Sequence, residues 1–329
     1  MREISDNTSG DDERADTTRA GTTRNERTNT THDKRANTLL DERASATRDE
    51  RVNRTHDESM NGTRDESMNG TRANTARVGH SWRGIALAVL ASAYVVLWAG
   101  GVGHYLFVGA VAAEQQWLAS AFLGVAGLIV LLAAGSRGAV LRLVAVAALG
   151  LVFELSGVRY GLPFGRYVYT GVLQPSIFGV PLVMACAWMV LVAYLKQVLL
   201  RLDAAAWSGA LVAAAWMTTI DLLIDPLAAN QLGYWRWAER GNYYGIPSSN
   251  FVGWFVCSLS IFVLLRRERR QANFWHRLTG VSIILFFTLI ALSFQLFIAA
   301  LIGFGLCAAE LLIGRKSSKF QVPGSKSQV

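Results

Sequence analysis

In an apolar chain, acid–base chemistry falls to the few ionisable side chains. After Gly84 the sequence holds only eight acidic residues: Glu114, Glu154, Asp203, Asp221, Asp225, Glu239, Glu268 and Glu310. Asp203 and Glu268 sit in basic loops and read as surface charges, as does Glu114 beside two glutamines at a span end. Asp221 and Asp225 are more telling. Four residues apart, they share one helix face about a turn from each other. An ionisable group within a span costs about 2.5–3.5 kcal/mol on insertion scales and defaults to a functional reading. Two carboxylates this close in apolar surroundings resist ionising together, and a carboxylic acid that keeps its proton is what general acid catalysis requires. The plainer alternative is a capped helix end, because Pro226 follows at once and both acids would then face water at the membrane surface. Spacing alone leaves both open.

Aromatic density is the second feature. Tyr160, Phe164, Tyr167 and Tyr169 crowd one connection, and Tyr234, Trp235, Trp237, Tyr243, Tyr244, Phe251 and Trp254 crowd another. Trp and Tyr gather at membrane interfaces in any case. Here, however, they come in compact strings with Gly and Pro (RYGLPFGRYVYTG, YYGIPSSNFVGW), a punctuation that interfacial belts do not need. Aromatic faces can hold a cation or a developing carbocation. His104 is the one histidine inside a span; with no partner at ligand spacing, it reads as packed or interfacial.

These residues must be positioned by membrane helices, each needing about 20 apolar residues to cross the hydrocarbon core. The apolar runs are 84–108, 117–134, 139–153, 177–195, 204–224, 251–265 and a long one from 281 to 313. A hairpin near 294–298 would divide the last, giving eight spans in preference to seven. Arg137 and Arg142, then Lys196 and Arg201, then Arg266, Arg267, Arg269, Arg270 and Arg277 mark alternate loops. That is the positive-inside pattern of a multi-pass protein of the cytoplasmic (inner) membrane with a cytoplasmic amino terminus. It puts Glu154 at the end of the third span, Asp221 and Asp225 at the end of the fifth, and both aromatic connections on one face. Residues 1–80 are polar, nearly charge-balanced and repetitive, with HDESMNGT at 56–63 followed by RDESMNGT at 64–71. Such a segment cannot bury enough apolar surface to offset ordering and reads as a disordered tail. The fold class is therefore an all-α polytopic membrane protein, with residues 1–80 as tail and 81–329 as the membrane domain.

Other classes are disfavoured. The formal charge of +8 comes from short basic bursts between spans, not a contiguous nucleic-acid footprint. Cys186, Cys257 and Cys307 lie apart in apolar runs, without disulfide or zinc spacing. No metal, nucleotide or redox motif is present.

Three strings, FELSGVRYGLPFGRYVYTG (153–171), DLLIDP (221–226) and YWRWAERGNYYGIPSSNFVGW (234–254), together resemble the membrane-bound carotenoid hydratases of the bisanhydrobacterioruberin and gamma-carotene hydratase type. The resemblance covers nearly all of the chain after residue 84 and none of the tail. It implies cofactor-independent addition of water to the terminal double bond of an acyclic carotenoid end group, giving a tertiary alcohol. The substrate is then a hydrocarbon dissolved in the bilayer, and other carotenoid-pathway enzymes are candidate partners. On that expectation Asp221 or Asp225 supplies the proton, the other tunes it, and Glu154 orients or deprotonates the water. Asn250 holds the water. Tyr167, Trp235, Trp237, Tyr243 and Tyr244 line the cation pocket, with Tyr160, Phe164, Tyr169 and Trp254 around them. A membrane prenyltransferase is the rival enzyme, since 221–225 is also a D-x-x-x-D string; it would need Mg²⁺ and a second Asp-rich motif, and there is one. A proton- or cation-coupled transporter ranks third, because the halves show no internal repeat.

Overall fold

A computed structural model describes residues 42–55, 82–109, 113–268 and 271–319. Most of the tail, and so its expected disorder, lies outside the described residues. Residues 42–55 form a helix, exposed along its length and rich in the good helix formers Glu, Arg and Ala.

Among the described residues the membrane unit contains eight apolar helices: α1 (Trp82–Phe107), α2 (Trp117–Ala133), α3 (Arg137–Tyr160), α4 (Val183–Arg201), α5 (Ala206–Asn230), α6 (Ser248–Leu264), α7 (Phe274–Ser293) and α8 (Phe297–Lys319). Six of them are long and apolar enough to cross a membrane, while α2 and α6 have 17 residues each, the short end of the spanning range. The protein is an all-α polytopic membrane protein. The division of the last apolar run occurs at 294–296, but α7 begins at Phe274, capped by Asn273, whose side chain accepts from the His276 N–H. Neither helix is therefore short, and Arg277, expected in a loop, lies in the first turn of α7.

Two further boundaries differ from expectation, and both matter for the site. Helix α3 runs past Glu154 to Tyr160 and ends at Gly161, whose φ of 73° makes the left-handed cap; nothing between Glu154 and Gly161 breaks a helix. Helix α5 runs through Pro226 to Asn230. A proline there deprives the carbonyl four residues earlier of its donor. That carbonyl belongs to Leu222, and the Tyr243 hydroxyl donates to it at 2.9 Å. The helix thus continues because a side chain replaces the missing N–H, and both aspartates lie inside α5, not at its end.

Helix α4 is the core element, with every residue from Trp188 to Leu195 buried, as expected of a helix apolar on all sides. Helix α1 is peripheral and docks on α7: the Tyr94 and Ser282 hydroxyls pair at 2.8 Å, and Trp98 Nε1 donates to the Ser282 carbonyl at 2.8 Å. The carboxyl ends of α3 and α5 emit the two aromatic connections. The connections meet in an antiparallel pair, β1 (Tyr167–Tyr169) with β4 (Trp235–Trp237), in the register Tyr167↔Trp237 and Tyr169↔Trp235. A second small hairpin pairs β2 (Ser176–Ile177) with β3 (Val180–Pro181); it occupies residues that hydropathy assigned to the fourth span.

Candidate active site

Glu154 is 3% exposed and held from three sides. Its Oε2 accepts from the hydroxyls of Tyr167 at 2.6 Å and Tyr169 at 2.8 Å, and its Oε1 from Trp188 Nε1 at 3.0 Å. Tyr167 comes this close only because residue 157 lacks a side chain, since a Cβ there would stand 2.7 Å from the Tyr167 hydroxyl oxygen. Burial pushes both phenols up, with the Glu154 charge adding to it, so they act as O–H donors and not as bases.

Asp221 and Asp225 are 5% and 1% exposed. The Asn250 amide spans them, its Nδ2 lying 2.7 Å from Oδ2 of each, which uses both amide hydrogens. Trp235 Nε1 donates to the other Asp225 oxygen at 2.7 Å. The Trp237 Nε1 is buried and makes no hydrogen bond among the described residues. Among the described residues, none of these three acids forms an ion pair.

The β1–β4 pair joins the two acid groups. Side chains alternate across a strand, so Tyr167, Tyr169, Trp235 and Trp237 share one face, while Val168 and Arg236 are exposed. The tyrosines reach Glu154 and Trp235 reaches Asp225. Rings close the layer: Tyr167 with Trp237 at 5.0 Å, Tyr169 with Trp235 at 5.9 Å, and Phe164 with Tyr167 at 6.4 Å and Trp254 at 5.9 Å.

Of the residues expected at the site, Glu154, Asp221, Asp225, Asn250, Phe164, Tyr167, Tyr169, Trp235, Trp237 and Trp254 come together. Tyr160 does not: it is 67% exposed at the last turn of α3. Tyr243 is spent on the Leu222 carbonyl. Tyr244 turns to α8, where its hydroxyl accepts from the Ile298 N–H at 3.2 Å. Trp188 was missed. It is fully buried, donates to Glu154 and stacks on Trp254 at 4.4 Å. The sign was there in the sequence: a tryptophan in mid-span carries an N–H that must find an acceptor.

A cavity of about 520 Å³ lies among α1, α2, α4, α5 and α7. Its wall includes Trp235 but none of the three acids. Trp235 thus lines the cavity and also holds Asp225.

The fold and site define a multi-pass membrane protein with a buried acid cluster beside an apolar cavity. Residues 106–310 match the family of carotenoid biosynthesis proteins, and the chain belongs to that family. It is also 37% identical over 134 residues to the bisanhydrobacterioruberin hydratase of Haloarcula japonica. That stretch covers 39% of this chain and 45% of the relative, so the match spans less than half of that protein. No solved structure matches the chain.

Proposed function

We propose that the protein hydrates the terminal double bond of an acyclic carotenoid end group, giving a tertiary alcohol, and that the activity resides in residues 81–329. The observation that carries this reading is a cluster of three buried carboxylates dressed only by neutral N–H and O–H donors, next to a hydrocarbon-lined cavity. The similarity to a protein named as a hydratase supports the reaction class.

The Asp221–Asp225 pair shares one proton. Asp225, with a donor on each oxygen, is the better solvated as an anion, which leaves the proton to Asp221 through the Asn250-bridged unit. The proton adds to the less substituted alkene carbon as the π bond breaks, leaving a tertiary cation and a carboxylate. The electron-rich faces of Tyr167, Trp235 and Trp237 stabilise that cation. A water oxygen bonds to it, and Glu154 takes the proton released. The donors around Glu154 fill three of its about four acceptor directions, leaving one for the water. Return of that proton to the aspartate pair closes the cycle. No electron is gained or lost in this sequence.

The donors converging on the aspartates also favour this reading over a prenyltransferase, whose Mg²⁺ would want oxygen ligands there. Membranes containing the protein, given lycopene in heavy-oxygen water without Mg²⁺ or prenyl diphosphate, should yield a product heavier by one labelled water. Turnover only when Mg²⁺ and a prenyl diphosphate are added would overturn it.

A further inference from the structure

The cavity beside Trp235 has two characters. Its inner wall is hydrocarbon, from Leu97, Phe122, Leu191 and Phe286, while Gln115, Gln116 and Gln231 stand on its wall where α2 begins and α5 ends. Gly100 and Gly101 of α1 complete the apolar part. Glycine inside a helix is less stable than alanine, so each calls for a reason. At Gly101 packing supplies it, because a Cβ would stand 2.9 Å from the Phe286 ring. At Gly100 packing supplies nothing: a Cβ would meet no atom within 4 Å. Gly100 is exposed and lines the cavity, so a side chain there would project into open space at the cavity's edge.

We propose that this cavity seats the apolar end of an isoprenoid chain and that Gly100 is a specificity-determining residue that keeps room for it. The identity of the ligand rests on the hydratase reading; the role of Gly100 rests on the cavity. An isoprenoid end suits the site on three counts. The wall offers mostly dispersion contacts, and its polar side chains (the three glutamines with His104, Tyr105 and Tyr234) lie where α1 and α5 end and α2 begins. Trp235 brings whatever is seated there against the residue that holds Asp225. Methyl branches make such an end bulky, which is why a helix position facing it is kept without a side chain.

The test uses the full chain in detergent with lycopene as probe. Binding is read by quenching of tryptophan fluorescence by the polyene, alongside product formation and melting temperature. Gly100→Ala should bind like wild type and melt no lower. Gly100→Leu and Gly100→Phe should bind about tenfold more weakly or worse, the scale at which a hydrophobic pocket discriminates by a methylene or more, with melting unchanged. Leu141→Phe, on an exposed face of α3, should behave as wild type. Should a bulky variant at 100 fail to fold, Ala119→Leu narrows the same cavity from α2 and should weaken binding likewise. Wild-type affinity in a folded Gly100→Phe protein overturns the proposal whatever the chemistry. Loss of binding there, with no hydrated product from any variant including wild type, upholds the proposal and sinks the hydratase reading instead.

Discussion

Both ends of the helix bundle bury carboxylates, and they surround them in opposite ways. At the basic end, Glu310 of α8 is 2% exposed and its Oε1 meets Arg201 of α4 at 2.6 Å and Arg277 of α7 at 2.5 Å. There too Glu268, expected to be a surface charge, has a side chain only 12% exposed and bridges Arg142 of α3 at 2.6 Å to Lys196 of α4 at 2.7 Å. At the other end, Glu154, Asp221 and Asp225 are as deeply buried as Glu310, but their hydrogen bonds come from tyrosine, tryptophan and asparagine. A carboxylate between two cations is fixed as an anion and ties helices together. One held only by neutral donors remains able to give or take a proton. Burying such a group is costly, and on the proposed function a fold that does it three times in one place gives up stability for chemistry. The two ends therefore bury the same functional group for different purposes.

The largest expected effect breaks the chemical end. Asp221→Asn and Asp225→Asn keep the shape of each side chain but remove the acidic proton; at Asp225, which accepts on both oxygens, the new amide also loses one hydrogen bond. A positioned general acid contributes about 10²–10⁴-fold, so each variant should lose at least about a hundredfold in turnover while still expressing and folding, with Asp221→Asn melting closer to wild type than Asp225→Asn. If both variants turn over normally, the two ends do not differ as argued here, and the pair is structural like Glu310.

The next effect, read on stability, breaks the other end. Glu310→Ala strands two guanidiniums that meet at one oxygen. Removing one partner of a buried pair costs about 3–5 kcal/mol; with the arginine side chains 23% and 31% exposed, the cost here should fall at or below the lower figure. The melting temperature should drop while turnover per folded molecule stays the same. A variant that melts normally but loses activity would instead tie this end to the reaction.

How much of this was legible in the sequence follows from the same contrast. The acids, Asn250 and most of the aromatics could be named from residue type, because an acid in an apolar run is conspicuous wherever it points. What each one touches was not legible. Hydropathy sees where apolar character ends, so it stopped α3 at Phe153 and α5 at Ile224, although both helices continue where the polar residues find partners inside the bundle. The β1–β4 pairing links residues 66 to 70 positions apart, with only three residues in each strand, too few to show a period. Trp188 was hidden for the opposite reason, as an indole in an apolar run looks like one more core residue until its N–H is asked for an acceptor. Tyr160 and Tyr244 show the converse error, in which a tyrosine in the right string points elsewhere.

The smallest effect concerns how the chemical end is kept helical. Pro226 leaves the Leu222 carbonyl without its helical donor, and the Tyr243 hydroxyl fills the gap from the second aromatic connection. Tyr243→Phe should therefore strand a part-buried acceptor, at a cost toward the lower end of about 1–3 kcal/mol. Pro226→Ala restores the backbone N–H and offers that carbonyl a second donor. If the hydroxyl is there for the carbonyl, Tyr243→Phe should cost little in the Pro226→Ala background, and the double-mutant cycle on melting temperature should show coupling of about 1 kcal/mol or more. Additive costs would mean that Tyr243 serves the acid cluster directly. Its loss should then appear in turnover before it appears in stability. The cycle thus separates a tyrosine that holds the helix carrying the acids from one that takes part in what the acids do.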